Sequence, residues 1–296
     1  MAYFYGMRNL IFLVLIASSS VVHSQGKILE SLTLSSEILQ EDVSYSVFLP
    51  ANFDVSNRKY PVLYLLHGYT DDETGWTQFG EVEKLVAELQ MDSDVTDMVI
   101  AMPNAGVSWY VNSFDGSYRY EDFFIQEFIP HIEETYRGRS ERRYRAIAGL
   151  SMGGRGTLLY TLKYPELFSA AAPLSSSIWL EAKIGDYTLS RFNSWYGEAF
   201  GRVESGTVTF TEHMEANHIL SLIEEANPAA FNRMRFYIDC GDDDHLVEEN
   251  IELSKALSAK GIAHEFRVRD GGHSWSYWRE ALPEVLRFVS AGFHQQ

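Results

Sequence analysis

Gly149-Leu150-Ser151-Met152-Gly153 sets a serine between closely spaced glycines, and its flanks constrain what the chain can fold into. Before it runs the strand-like stretch YRAIA, and after it the helix-like stretch RGTLLYTL. On so cramped a strand-to-helix turn the serine hydroxyl projects above a sheet, at a helix N-terminus. Only glycine lets backbone and helix approach so closely around it. Alone, the five-residue pattern is weak, because a Gly-rich turn with a capping serine would also produce it. The strand before it and the helix after it make it a candidate nucleophile elbow.

The rest of the chain supplies the alternation such a turn requires. Residues 31–36 and 43–50 alternate polar and apolar side chains, as antiparallel strands do. Residues 60–67 and 97–103 are nearly continuous apolar runs, as strands covered on both faces should be. Further strands are expected at 143–149, 170–174, 235–240 and 264–269, and helices at 81–91, 121–136, 153–164, 211–226, 246–260 and 276–289. Such alternation implies an α/β architecture with a mostly parallel sheet, helices on both faces, and functional residues beyond the strand C-termini. Residues 178–209 break the pattern. They are rich in Gly, Ser and aromatics, and read as an insertion over that end of the sheet, where they could form a partial lid.

Composition narrows the function classes. The chain has 296 residues, 46% hydrophobic and 22% charged, which is the balance of a globular protein able to fold without metals or disulfides. A formal net charge of −17 disfavours nucleic acid and anionic lipid as partners. The single cysteine, Cys240, excludes an internal disulfide framework and a Cys-rich zinc site. It reads as a small buried hydrophobe. The nine histidines show no HExxH-type spacing, so no metal site is expected.

The first 24 residues read as an export signal. Arg8 gives a small positive start, residues 10–17 are unbroken apolar, and Val22 and Ser24 stand at −3 and −1 of a cleavage before Gln25. The apolar core is too short to span a bilayer comfortably, although an uncleaved anchor or a buried helix would carry a similar run. The expectation is a signal peptide at 1–24, a single domain at 25–296, and a secreted or periplasmic protein with no membrane association after processing.

A serine hydroxyl needs a base within hydrogen-bond reach to become a nucleophile. His273 is the best candidate, on the glycine-flanked loop Asp270-Gly271-Gly272-His273 after a strand. His245 is the serious rival. An acid should orient the base and stabilise its cationic form. Asp242, Asp243 and Asp244 follow the preceding strand, and their spacing alone is ambiguous, although Asp244 stands directly before the helical segment. Two backbone N–H groups should bind the developing oxyanion: that of Met152, and one from the loop after strand 60–67, with Tyr69 the best donor. His67 reads as support for that loop.

At these residues the chain resembles the esterase-D-type branch of the α/β-hydrolases. That group includes feruloyl esterases, acetylxylan esterases, S-formylglutathione hydrolases, siderophore esterases and mycolyltransferases. The matching stretches are LLHGYTDDETGW, PNAGVSWYVNS, YEDFFIQEFIPHIEETYR, RAIAGLSMGGRGTL, GDDDHLVEEN and GGHSWSYW, spread over most of the chain. The resemblance implies a single α/β-hydrolase domain needing no cofactor. The family pattern G-x-x-D-x-L falls on Gly241, Asp244 and Leu246, which implies Asp244 as the acid. The implied site is thus Ser151, Asp244 and His273, with Tyr69 and Met152 at the oxyanion.

S-formylglutathione hydrolases are typically intracellular and carry a Cys near the His-Gly loop, where this chain has Tyr69 and Thr70. Secreted carbohydrate esterases fit better. Trp109, Tyr110 and Asn112 match a W-Y-x-N element that lies near the active site in such relatives. With Trp76 and Trp275 they could wall an acyl pocket or a sugar platform, or merely pack the loops. The expected substrate is an ester of plant cell-wall polysaccharide, feruloyl or acetyl. The alternatives are an acyltransferase or siderophore esterase with the same three residues, and a non-catalytic carbohydrate-binding protein on the same scaffold.

Overall fold

The computed structural model describes residues 26–294. The expected leader at 1–24 lies outside the described residues. Eight strands form one sheet: β1 (Lys27–Ser36), β2 (Glu41–Leu49), β3 (Val62–Leu66), β4 (Val99–Pro103), β5 (Arg145–Leu150), β6 (Ala170–Leu174), β7 (Arg235–Gly241) and β8 (Glu265–Arg269). Their spatial order is β1-β2-β4-β3-β5-β6-β7-β8. β1 and β2 form an antiparallel hairpin, β2 runs antiparallel to β4, and every later pairing is parallel. This is the α/β-hydrolase arrangement that the resemblance implies.

The central strands are buried on both faces, which is why they read as unbroken apolar runs. Val62, Tyr64 and Leu66 point into one core, beneath helix Met152–Lys163 and the 120–135 segment. Leu63 and Leu65 point into the other, against helices Val82–Met91 and Trp275–His294. The period of two along β3 therefore feeds two cores at once.

Chain order places the site. From β3 the path steps outward to β4, then returns across β3 to β5. Neighbouring loops at the C-terminal ends of β3 and β5 thus leave in opposite directions, opening a crevice there. Leu66 pairs with Gly149, so the two strand ends are level.

Two elements differ from expectation. The 121–136 helix starts at Tyr120 and passes through a π turn, Phe124–Phe128, where the N–H of Ile129 bonds the carbonyl of Phe124. The 211–226 helix is two helices, Glu212–Ala216 and Ile219–Glu225. Lateral bonds cut it at the join. The Asn217 side chain donates to the carbonyl of His213 and accepts from Lys163, while extended His218 reaches the carbonyl of Trp179 at 2.9 Å. Residues 178–209 contain the short helices Glu181–Gly185, Leu189–Trp195 and Gly197–Phe200. They fold over the C-terminal end of the sheet and contribute Trp179, Ile184 and Trp195 to a cleft above Ser151.

Candidate active site

Ser151 lies between β5 and helix Met152–Lys163 with φ 54° and ψ −114°. That is a strained conformation for a residue with a Cβ. The flanking glycines are required by space. A Cβ on Gly149 would lie 2.6 Å from the carbonyl oxygen of Gly153, and one on Gly153 2.6 Å from the carbonyls of Leu66 and His67. The turn is therefore clamped against the end of β3.

The Ser151 hydroxyl lies 3.0 Å from His273 Nε2. His273 Nδ1 lies 2.9 Å from one Asp244 carboxylate oxygen and 3.0 Å from the other. With Nδ1–H donated to the carboxylate, Nε2 is left to accept the serine proton. Asp244 is wholly buried and also accepts from the N–H of Leu246 at 2.9 Å. Burial alone would raise its pKa. The hydrogen bond and charge of His273, with the Leu246 amide, outweigh it and hold the carboxyl below its ordinary value. Trp278 sets its indole edge-on to His273, with centroids 4.8 Å apart, and donates its N–H to Ser175.

The rival base His245 does not bond Ser151. Its ring meets His273 edge-on at 4.7 Å and its side chain is 70% exposed. Asp242 accepts the N–H of Gly271, bracing the His273 loop from outside. Of the candidates, His273 and Asp244 are the two that the fold brings into line with Ser151.

The loop after β3 lies against the serine. A Cβ on Gly68 would be 3.6 Å from that of Ser151. His67 is fully buried, and burial lowers its pKa to about 4, so it is neutral near pH 7. Its Nε2 accepts the N–H of Ala105 at 2.8 Å, and its Nδ1–H donates to the carbonyl of Gly68 at 2.7 Å. Asp71 N–H donates to the same carbonyl. The peptide is trans, so the N–H of Tyr69 is turned to the opposite side. Among the described residues no acceptor bonds the backbone N–H of Tyr69 or of Met152.

A cleft of about 630 Å³ opens over Ser151 and His273. Four non-glycine residues held at positive φ line it: Thr70, Trp109, Ser151 and Trp179. Trp109 forms part of its wall and donates its indole N–H to the carbonyl of Trp195 at 2.8 Å. The other aromatics singled out in the sequence lie elsewhere, which corrects that part of the reading. Tyr110 is buried behind the β3 loop, with its hydroxyl donating to the carbonyl of His67 at 3.0 Å. Asn112 caps a helix by accepting the N–H of Asp122. Trp76 is buried on the other core and donates to the carbonyl of Leu66. Trp275 packs edge-on against Trp76, outside the cleft lining.

The wall instead comes largely from the insertion. Trp195 stacks on the Tyr69 ring at 4.8 Å and 14°, and Trp179 packs edge-on against Trp109 and Tyr196. Aromatic enrichment of 178–209 was the available signal. An oriented hydroxyl–imidazole–carboxylate chain, buried at its carboxylate end and open to an aromatic cleft at its hydroxyl end, can carry out acyl transfer through a serine ester. No helix among the described residues is long and apolar enough to cross a membrane.

A family model described as "Putative esterase" matches residues 36–289. The chain is similar to an acetyl esterase of Caldicellulosiruptor saccharolyticus, 26% identical over 86% of this chain and 95% of that protein. It is 30% identical to an endo-1,4-beta-xylanase/feruloyl esterase of Xylanibacter ruminicola over 88% of this chain, which spans 31% of that longer protein. Among solved structures, a ferulic acid esterase matches with a TM-score of 0.78 at 35% identity, over 91% of this chain and 99% of that one.

Proposed function

The chain belongs to this esterase family and is a carboxylic ester hydrolase, and from that premise we propose that it is an exported serine esterase removing feruloyl or acetyl groups from plant cell-wall xylan. The observation that carries the catalytic part is the unbroken hydrogen-bond chain from Ser151 through His273 to buried Asp244.

In this reading Ser151 attacks the ester carbonyl as its proton passes to His273 Nε2. Asp244 holds the imidazole by Nδ1–H and stabilises the imidazolium without taking the proton. The amides of Tyr69 and Met152 bind the tetrahedral oxyanion, each such donor being worth roughly 3 kcal/mol in the transition state. His273 then protonates the leaving alcohol, and the acyl group stays on Ser151. Water, deprotonated by His273, attacks the acyl-serine and releases the acid.

The substrate class rests on the cleft and on the names of the similar proteins. The cleft holds about 630 Å³, enough for a drug-sized aromatic acid, and its walls include indole and phenol rings among charged side chains such as Lys183 and Arg191. The names of the similar proteins include feruloyl and acetyl esterase activity. The leader-like residues 1–24 support export, with residues 25–296 as the processed domain. The test is release of ferulate from feruloylated arabinoxylan and of acetate from acetylxylan, with Ser151→Ala as control. Serine-dependent release of either acid is expected. Hydrolysis of simple esters with neither acid released would exclude the cell-wall substrate and leave the esterase chemistry standing.

A further inference from the structure

Arg155, four residues after Ser151, is completely buried and has an unusual set of partners. Its own N–H donates to the carbonyl of Ser151 at 3.0 Å, in the first turn of the helix. Its guanidinium donates to two backbone carbonyls, Asn217 at 2.6 Å and Ser177 at 3.4 Å. Neither bond ends on a carboxylate. Nε is buried with no partner. The carbon of the guanidinium sits 3.3 Å from the ring centroid of Trp179. Burial lowers its pKa to about 9, so it is still charged near pH 7.

A buried cation without a paired carboxylate is costly, and an apolar side chain would ordinarily replace it. What this one has is the face of an indole, the ring that attracts cations best once water is excluded. The backbone of Trp179 is held too: Glu249 accepts its main-chain N–H at 3.0 Å, and His218 bonds its carbonyl at 2.9 Å, while the indole N–H has no partner. Its φ is 66°, a conformation that needs such support. One side chain thus ties the helix after Ser151 to Trp179, which is almost wholly buried and meets the cleft only with a small exposed edge.

The acyl side of the cleft follows from the chemistry. The leaving alcohol must sit beside the proton on His273 Nε2, the part of the cleft shared with His245 and Trp278. The group attached to the carbonyl then has the remainder of the cleft, part of which Trp109 and Trp179 line.

We propose that Arg155 is a positioning residue that sets selectivity for bulky planar acyl groups by fixing Trp179 as the acyl-side wall. This rests on Ser151 and His273 acting as proposed above, but not on ferulate or xylan as the natural substrate. A small acyl group does not reach the wall, and its turnover is indifferent to Arg155. An aromatic acyl group packs on the wall, and loses binding when the indole is free to tilt.

The test compares p-nitrophenyl acetate with p-nitrophenyl cinnamate, which share one alcohol, in Arg155→Met, Trp179→Leu and the double variant. Arg155→Met should lower kcat/KM for cinnamate tenfold or more, mainly through KM, and change acetate by less than about threefold. The double variant should be no worse on cinnamate than Trp179→Leu alone, because Arg155 acts through Trp179. Equal losses on both esters, an unchanged ratio, or additive losses in the double variant would overturn the proposal. Should Arg155→Met fail to fold, Arg155→Lys carries the same test: it keeps the charge but not the flat face on the indole, and the same fall in ratio is expected. Ser151→Ala run alongside separates the two claims, since retained turnover there would contradict the serine mechanism whatever the ratio does.

Discussion

The Oγ of Ser151 and the Nε2 of His273 lie 3.0 Å apart across 122 positions of sequence. Two features bring them together. The serine is raised on a turn too tight for any residue but glycine at 149 and 153. The histidine hangs from the loop after the edge strand β8, steadied by Asp244 at Nδ1 and by the Trp278 indole at its face. The strain in the turn is what aims the hydroxyl.

That strain should be measurable. Ser151→Gly removes the hydroxyl and suits φ 54° far better. Turnover should fall by ~10⁴-fold or more, while stability rises by about 1 kcal/mol. Ester hydrolysis and urea unfolding of the same preparation read both quantities. A less stable variant would count against stored strain.

Gly153→Ala should act in the opposite sense on the fold. Its Cβ would meet two backbone carbonyls of the β3 end at 2.6 Å, and neither can swing aside as a side chain could. A loss of about 1–3 kcal/mol is expected, together with lower kcat from a displaced Met152 amide. Thermal unfolding and kcat for a simple ester check it.

Asp244→Asn keeps the shape of the acid but not its charge. Turnover should drop by ~10⁴-fold, as the imidazole loses its oriented tautomer and its counter-charge. The stability effect has a definite sign. The Asp244 carboxyl is held below its ordinary pKa, so its contribution is present above about pH 4 and is lost as pH falls through the lowered folded value. Urea unfolding of the parent at pH 5 and pH 3 should show that loss, and the Asn variant a smaller one.

Glu249 titrates with the reverse sign. Burial raises its pKa, although the amides of Trp179 and Ile178 and the charges of Lys183 and Arg155 partly oppose this. The folded state therefore holds its proton more tightly than the unfolded chain, and stability falls as pH rises from the ordinary carboxyl value through the raised one. Glu249→Gln keeps an acceptor oxygen for both amides and should remove that decline. Denaturation midpoints from pH 4 to pH 7 in parent and variant test it.

Much of this was legible in the sequence, and the exceptions share a cause. Ser151, His273 and Asp244 could be placed because each sits at a strand end with local punctuation: a glycine-bound serine, a Gly-Gly-His loop, an acid before a helix. The same punctuation left Asp242 to Asp244 ambiguous until the family pattern was applied. The direction of an aromatic side chain is not a local property. Tyr110 follows Trp109 directly, yet one ring packs behind the loop after β3 and the other lines the cleft. Trp76 and Trp275 look like pocket residues but pack together outside it, while Trp179 and Trp195 enter from an aperiodic stretch. The broken 211–226 helix has the same origin, since lateral bonds from Lys163 and Trp179 override a continuous helical pattern.

A serine raised to a nucleophile reacts covalently with an electrophilic probe that ordinary serines ignore. The most direct measurement is labelling of the full chain with a fluorophosphonate, followed by peptide mass spectrometry. One adduct per chain on Ser151 is expected, abolished in Ser151→Ala and strongly slowed in His273→Ala. Labelling at another residue, or equal labelling of the Ser151→Ala variant, would contradict Ser151 as that nucleophile.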